Sequence, residues 1–290
     1  MADAPEGLSS GVRPRESRRT GSESRRLGGE PEGGGRKKVP WGRYFYPFQA
    51  KALPAVRRET AIAVALALFI IAYGNLLSLR PDHIRIAYDW AFILGGLALL
   101  GLLVLWSVRI EGIPLPTLGI TTVSAGRSAL AGAALGVVVI LPVVLYFLFP
   151  LGLEDGIGYE DAEEQTWGGF LLWALANQPV GTAFFEEALF RGVLLAKMTV
   201  AWGQRQALVA SSVTFALWHL VINFRTIHDT DVASPAILAA LAQIACLFGL
   251  FLGGLFLGLL RQRTGNLAGC VVFHWLVVTA MWGTLFLVSR

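Results

Sequence analysis

Residues Thr60–Leu79 read TAIAVALALFIIAYGNLLSL, a run without Asp, Glu, Lys, Arg or His. At 1.5 Å rise per residue, about 20 residues cross the roughly 30 Å hydrocarbon core of a bilayer. Six further apolar stretches follow: Tyr88–Ser107, Ser128–Pro150, Trp167–Trp202, Ala207–Ile222, Ala236–Leu260 and Leu267–Val288. A backbone in lipid must satisfy its own hydrogen bonds, so these stretches are read as helices. The fold class is therefore all-α: a polytopic membrane bundle of about seven to eight transmembrane helices.

Composition points the same way. The chain is 54% hydrophobic and 15% charged, against about 45–50% and 25% in soluble domains, which excludes a water-soluble globule. Cys246 and Cys270 both lie in apolar stretches, so neither a disulfide framework nor a CxxC metal signature is present.

Residues 1–40 are rich in Gly, Arg, Ser, Glu and Pro and read as a disordered basic tail. The first 59 residues carry 13 Lys/Arg against 7 Asp/Glu. No aromatic-basic pattern accompanies these charges, so no nucleic-acid partner is expected; basic residues ahead of a first span hold the tail in the cytoplasm. Residues 41–59 begin WGRYFYPF, a headgroup-interface composition, and 60–127 hold the first spans. The N-terminus lacks the short apolar core of a cleavable signal peptide. These features predict an integral membrane protein, placed in a bacterial inner membrane with a cytoplasmic N-terminus.

Loop charges bear on the orientation. Leu151–Gln165 holds six acidic residues and no basic one, whereas Arg109 and Arg127 flank the preceding loop, as an inside tail requires; Arg80 and Arg85 fall against the trend. Pro179 predicts a break or kink in the long fourth stretch, with one crossing and a re-entrant or interfacial piece before it. The sixth stretch repeats GLFLG at Gly249–Gly253 and Gly254–Gly258, and this small-residue spacing is read as packing within the bundle.

Few ionisable residues fall inside the apolar stretches. Glu186, Glu187 and Arg191 do so in FFEEALFRGVLL. A carboxylate in hydrocarbon costs a few kcal/mol, so it is normally paired or faces a wet cavity. Glu187 and Arg191 are four residues apart on one helical face, in the favourable order. Glu186 points about 100° away, without a partner in its own helix, and is placed for general-base or proton-relay work. His219, four residues after Phe215 in FALWHLVINF, and His274 in CVVFHWLVV add two intramembrane imidazoles. One glutamate and two histidines at membrane depth suit either a water-activating site or a divalent metal site.

EEALFRG matches the EExxxR motif of the CAAX protease and bacteriocin-processing (CPBP, Abi) family. With Phe215 to His219 as FxxxH and a late His274, the chain resembles the type-II CAAX prenyl endopeptidases of that family over about Ser128 to Val288, which makes 128–290 a protease-like core. The resemblance implies an intramembrane glutamic-type endopeptidase acting on a membrane-anchored or prenylated protein or peptide. It implies Glu186 as the base, His219 orienting the water and His274 on the oxyanion side. Glu187, Arg191 and Phe215 are then supporting residues. No cofactor or metal is required by that mechanism, although the ligand types leave a zinc-dependent protease open. The family often has Asn one turn after the last histidine; here that position is Val278, which implies either a second oxyanion contact from elsewhere, such as Thr279, Asn223 or Asn266, or a catalytically impaired member. The competing classes are a non-catalytic scaffold or immunity protein of the same fold and a proton-coupled transporter, the latter without the expected inverted repeat.

Overall fold

The structure is a computed structural model that describes residues 53–79, 85–149, 165–228 and 236–288. The tail expected over 1–40, most of the interfacial segment and the acidic loop after Leu151 lie outside the described residues. All regular elements among the described residues are helical. They are α1 (Leu53–Leu77), α2 (Arg85–Arg109), α3 (Ala125–Leu148), α4 (167–202), α5 (Gln204–Trp218), α6 (Leu220–His228), α7 (Ala236–Thr264) and α8 (Ala268–Val288).

Six helical runs are long and apolar enough to cross a membrane: Arg57–Leu77, Trp90–Arg109, Ala125–Pro142, Gln204–His228, Ala236–Thr264 and Ala268–Val288. Leu68, Leu94, Leu130 and Val138 on these helices are exposed. A surface of that kind belongs against lipid tails rather than water. The chain is an integral membrane protein built as an all-helical bundle.

α4 is the central element. Its residues from Phe185 to Met198 are all buried, including Glu186, Glu187, Arg191 and Lys197. Of the break or kink expected at Pro179, a break is absent. The chain stays helical from 167 to 202, but winds as a π-helix over Trp173–Phe184 and again over Ala188–Leu194. Proline removes one i→i−4 donor and crowds the preceding turn, and a wider winding accommodates both demands without ending the helix. Between the two wide stretches sits a short α-helical segment, Phe185–Glu187.

α8 is held to α3 by close backbone approach. Gly269 N donates to Ser128 Oγ at 3.0 Å, and a Cβ on Gly132 would run into the Gly269 carbonyl. Small residues at such crossings let helices meet at backbone distance. The GLFLG repeat on α7 divides in two. Gly254 and Gly258 pack on Ser212 and Leu208 of α5, in line with bundle packing, while a Cβ on Gly249 or Gly253 would meet nothing within 4 Å.

The segment between α2 and α3 secures the ends of α7 and α8. Arg261 donates to Thr117 O at 2.8 Å, Leu267 N to Gly119 O at 3.1 Å, and Lys197 of α4 forms an ion pair with Glu111. Buried charges and orphan helix-end groups thus find partners in one irregular segment, as a low-dielectric interior demands.

Candidate active site

The six residues singled out by sequence come from three helices. Glu186, Glu187 and Arg191 lie on α4, Phe215 closes α5 with His219 immediately after it, and His274 lies on α8. Glu187 is fully buried, and its Oε1 accepts from Arg191 Nη1 at 3.0 Å and from His274 Nδ1 at 2.9 Å. The pairing expected from the 187/191 spacing is present, and it is extended by a second helix.

Glu186 occupies the other side. Its Oε2 is buried, makes no hydrogen bond among the described residues, and stands 3.9 Å from His219 Nε2. That separation is too long for a direct hydrogen bond. His219 is fixed through its other nitrogen: Nδ1 lies 2.8 Å from Phe215 O. A carbonyl oxygen only accepts, so Nδ1 carries the proton, and in the neutral ring the Nε2 lone pair is directed toward Glu186.

The FxxxH spacing follows from a helix defect. α5 ends at Trp218 and α6 begins at Leu220, with His219 between them at φ −93° and ψ 8°. This is the bridge region, where many active-site residues are found. His219 N donates to Ala216 O at 3.1 Å, three residues back instead of the four of an α-helix. Phe215 O, its α-helical partner, instead receives the imidazole of the same residue. Phe215 contributes its ring as well: the Arg191 guanidinium lies 4.1 Å from the ring centroid, and the His219 ring meets it edge-on at 4.8 Å. A cation over an aromatic face contributes attraction where water is absent.

The fifth apolar stretch was expected as one helix over Ala207–Ile222; the structure extends it to His228 and interrupts it at His219. Asn266 is not free to serve as a donor in place of an asparagine at 278. Its Nδ2 donates to Thr121 O at 2.5 Å, and its Oδ1 accepts from Ala268 N at 2.7 Å, capping α8. Thr279 Oγ1 and Asn223 Nδ2 are buried without a hydrogen-bond partner among the described residues. Asn177 Oδ1 and Gln178 Nε2, in the π-helical approach to Glu186, share that condition. They went unremarked in the sequence, although an Asn-Gln-Pro triplet inside an apolar stretch was the signal. Among the described residues no group of three or more His, Cys, Asp or Glu side chains is arranged to hold a metal ion.

A glutamate facing an imidazole, beside a second glutamate bound to arginine and to another imidazole, is a constellation suited to activating water. Residues 165–280 match the Rce1-like type II CAAX prenyl endopeptidase family. The Rce1-like segment takes in all six site residues and leaves α1, α2 and α3 outside it. Comparison with curated proteins and with solved structures gives no significant match. The segment is thus similar to a family of prenyl endopeptidases, and it sits in a chain whose apolar helices make it a membrane protein.

Proposed function

We propose that the chain is an intramembrane glutamic-type endopeptidase that hydrolyses a peptide bond of a membrane-anchored or prenylated substrate. The observation that carries this reading is the facing of Glu186 Oε2 and His219 Nε2 across 3.9 Å, with the His219 proton held on the far nitrogen by Phe215 O. Two acceptors at that separation match one water that donates to both. The water oxygen attacks the scissile carbonyl carbon and Glu186 takes its proton. That proton then passes to the amide nitrogen as the C–N bond breaks, so Glu186 serves as base and then as acid.

In this mechanism His274 stabilises the oxyanion. With Nδ1 donating to Glu187, Nε2 donates only if the ring is an imidazolium. The charges then close: Glu186 and Glu187 are balanced by Arg191 and His274, which is the economical state for a buried cluster. A scaffold of the same fold is the second reading, favoured by Val278, which has no donor to offer. A cytoplasmic N-terminus and a bacterial inner membrane complete the proposal.

The test is cleavage of a farnesylated peptide ending in a CAAX sequence by the full chain in liposomes. Glu186→Gln keeps shape and hydrogen-bonding capacity but removes the base. It is expected to stay folded and to lose cleavage, whereas full activity in that variant overturns the mechanism.

A further inference from the structure

α1 lies outside the Rce1-like segment, yet it reaches the helix break that sets His219. Asn75 Oδ1 accepts from Val221 N at 2.8 Å, and Asn75 Nδ2 donates to Leu217 O at 2.8 Å. Those two backbone groups are i and i+4 and would bond each other in an unbroken helix. The carboxamide of Asn75 is therefore inserted in the ladder in place of one backbone hydrogen bond, a recognised cause of a helix break. Nδ2 also donates to Ile71 O at 2.8 Å, one turn back on its own helix, which fixes the amide's orientation. The fit is close on both sides of it. A Cβ on Gly74 would collide with the Trp218 indole, and Arg225 Nη1 donates to Ser78 O at 2.6 Å.

We infer that Asn75 is a positioning residue for His219, acting by holding the α5–α6 turn open. The sequence of effects runs through the backbone. With the 217-to-221 bond displaced onto Asn75, the turn loosens and His219 N moves to Ala216 O. That leaves Phe215 O for His219 Nδ1, and the Nε2 lone pair is turned to Glu186. Asparagine suits the position because one planar group must accept on one side and donate on the other. The catalytic assignment of His219 rests on the function proposed above; the coupling of Asn75 to the His219 ring does not.

The experiment uses the full chain in lipid bilayers with ¹⁵N-labelled histidine and solid-state NMR, the His219 signals being assigned with His219→Gln. In the wild type His219 is expected as the Nδ1–H tautomer with a hydrogen-bonded Nδ1. Asn75→Leu is expected to shift the His219 signals while His274 keeps its own, and to lower kcat on the farnesylated peptide roughly 10²-fold, as a displaced catalytic group does, with KM unchanged. Asn75→Ala is the second variant should the leucine form fail to accumulate. Arg225→Ala is the control, since it removes a neighbouring α1–α6 contact but leaves Asn75 in the ladder. It is expected to lower thermal stability without moving the His219 signals. Wild-type His219 signals in either folded Asn75 variant, or the same shift in Arg225→Ala, overturn the inference. A wild-type chain that cleaves no farnesylated peptide refutes the proposed function instead, and the NMR comparison still decides the role of Asn75.

Discussion

His274 Nδ1 and Arg191 Nη1 meet on a single oxygen, Glu187 Oε1, at 2.9 and 3.0 Å. That atom joins α4 to α8, so the imidazole's direction depends on a carboxylate that is itself fixed by a cation one turn along its helix. Glu187 Oε2 and Arg191 Nη2 make no hydrogen bond among the described residues. The contact is therefore single-stranded rather than forked, and each of its two bonds matters more.

Arg191→Ala is expected to destabilise the fold by roughly 3–5 kcal/mol, because it strands a fully buried carboxylate. Arg191→Lys is expected to recover little, since a lysine ammonium does not reproduce a planar guanidinium stacked over the Phe215 ring. Thermal unfolding in detergent micelles gives both numbers. An alanine variant that melts with the wild type would show that the buried pair adds no stability.

His274→Ala is expected to lose activity by about 10²–10³-fold, the usual cost of one oxyanion donor. Val278→Asn is expected to raise turnover or leave it unchanged. Positions 274 and 278 share a helical face, so an amide at 278 either supplies a missing donor or duplicates one provided by Asn223 or Thr279. Cleavage rates of the two single variants decide it, and an active His274→Ala takes α8 out of the chemistry.

Exhaustive chelation is expected to leave cleavage intact, because the proposed steps use only protonic groups of the chain. Elemental analysis of the active preparation should give no stoichiometric zinc. Activity lost to a chelator and restored by zinc would instead make His219 and His274 ligands.

Gly269→Ala is expected to cost roughly 1–3 kcal/mol, since the added methyl meets the Ser128 backbone and has nowhere to turn. Gly249→Ala, which meets nothing within 4 Å, is expected to be neutral or slightly stabilising through its helix propensity. Paired thermal melts test the contrast, and equal effects would mean that the α3–α8 contact is looser than it stands here.

The helices were legible in the sequence because lipid imposes one simple requirement, a continuous apolar run. The apolar stretch Ala236–Leu260 differs from α7 only in the last four residues, and Leu267–Val288 from α8 only in the first. The spacing of Glu187 and Arg191 was equally readable, being a contact within one turn. What the sequence hid were the features set by distant partners. The interruption at His219 depends on an amide 142 residues away from Leu217, and no local signal marks it. At Pro179, where a break or a kink was expected, the helix runs on in a wider winding instead of breaking. Asn266 looked like a spare donor until the segment before α3 supplied carbonyls for it to bind.

The amide lodged between Leu217 and Val221 bears on how this chain tolerates change. If Asn75 is replaced by an apolar residue, the two backbone groups it separated can bond each other directly, so the helix repairs itself and little folding energy is lost. Position 75 is then one where a variant library sorted by abundance or melting temperature would retain substitutions that a library sorted by turnover rejects. Divergence at such a site is silent to quality control in the cell and visible only to selection on the reaction itself.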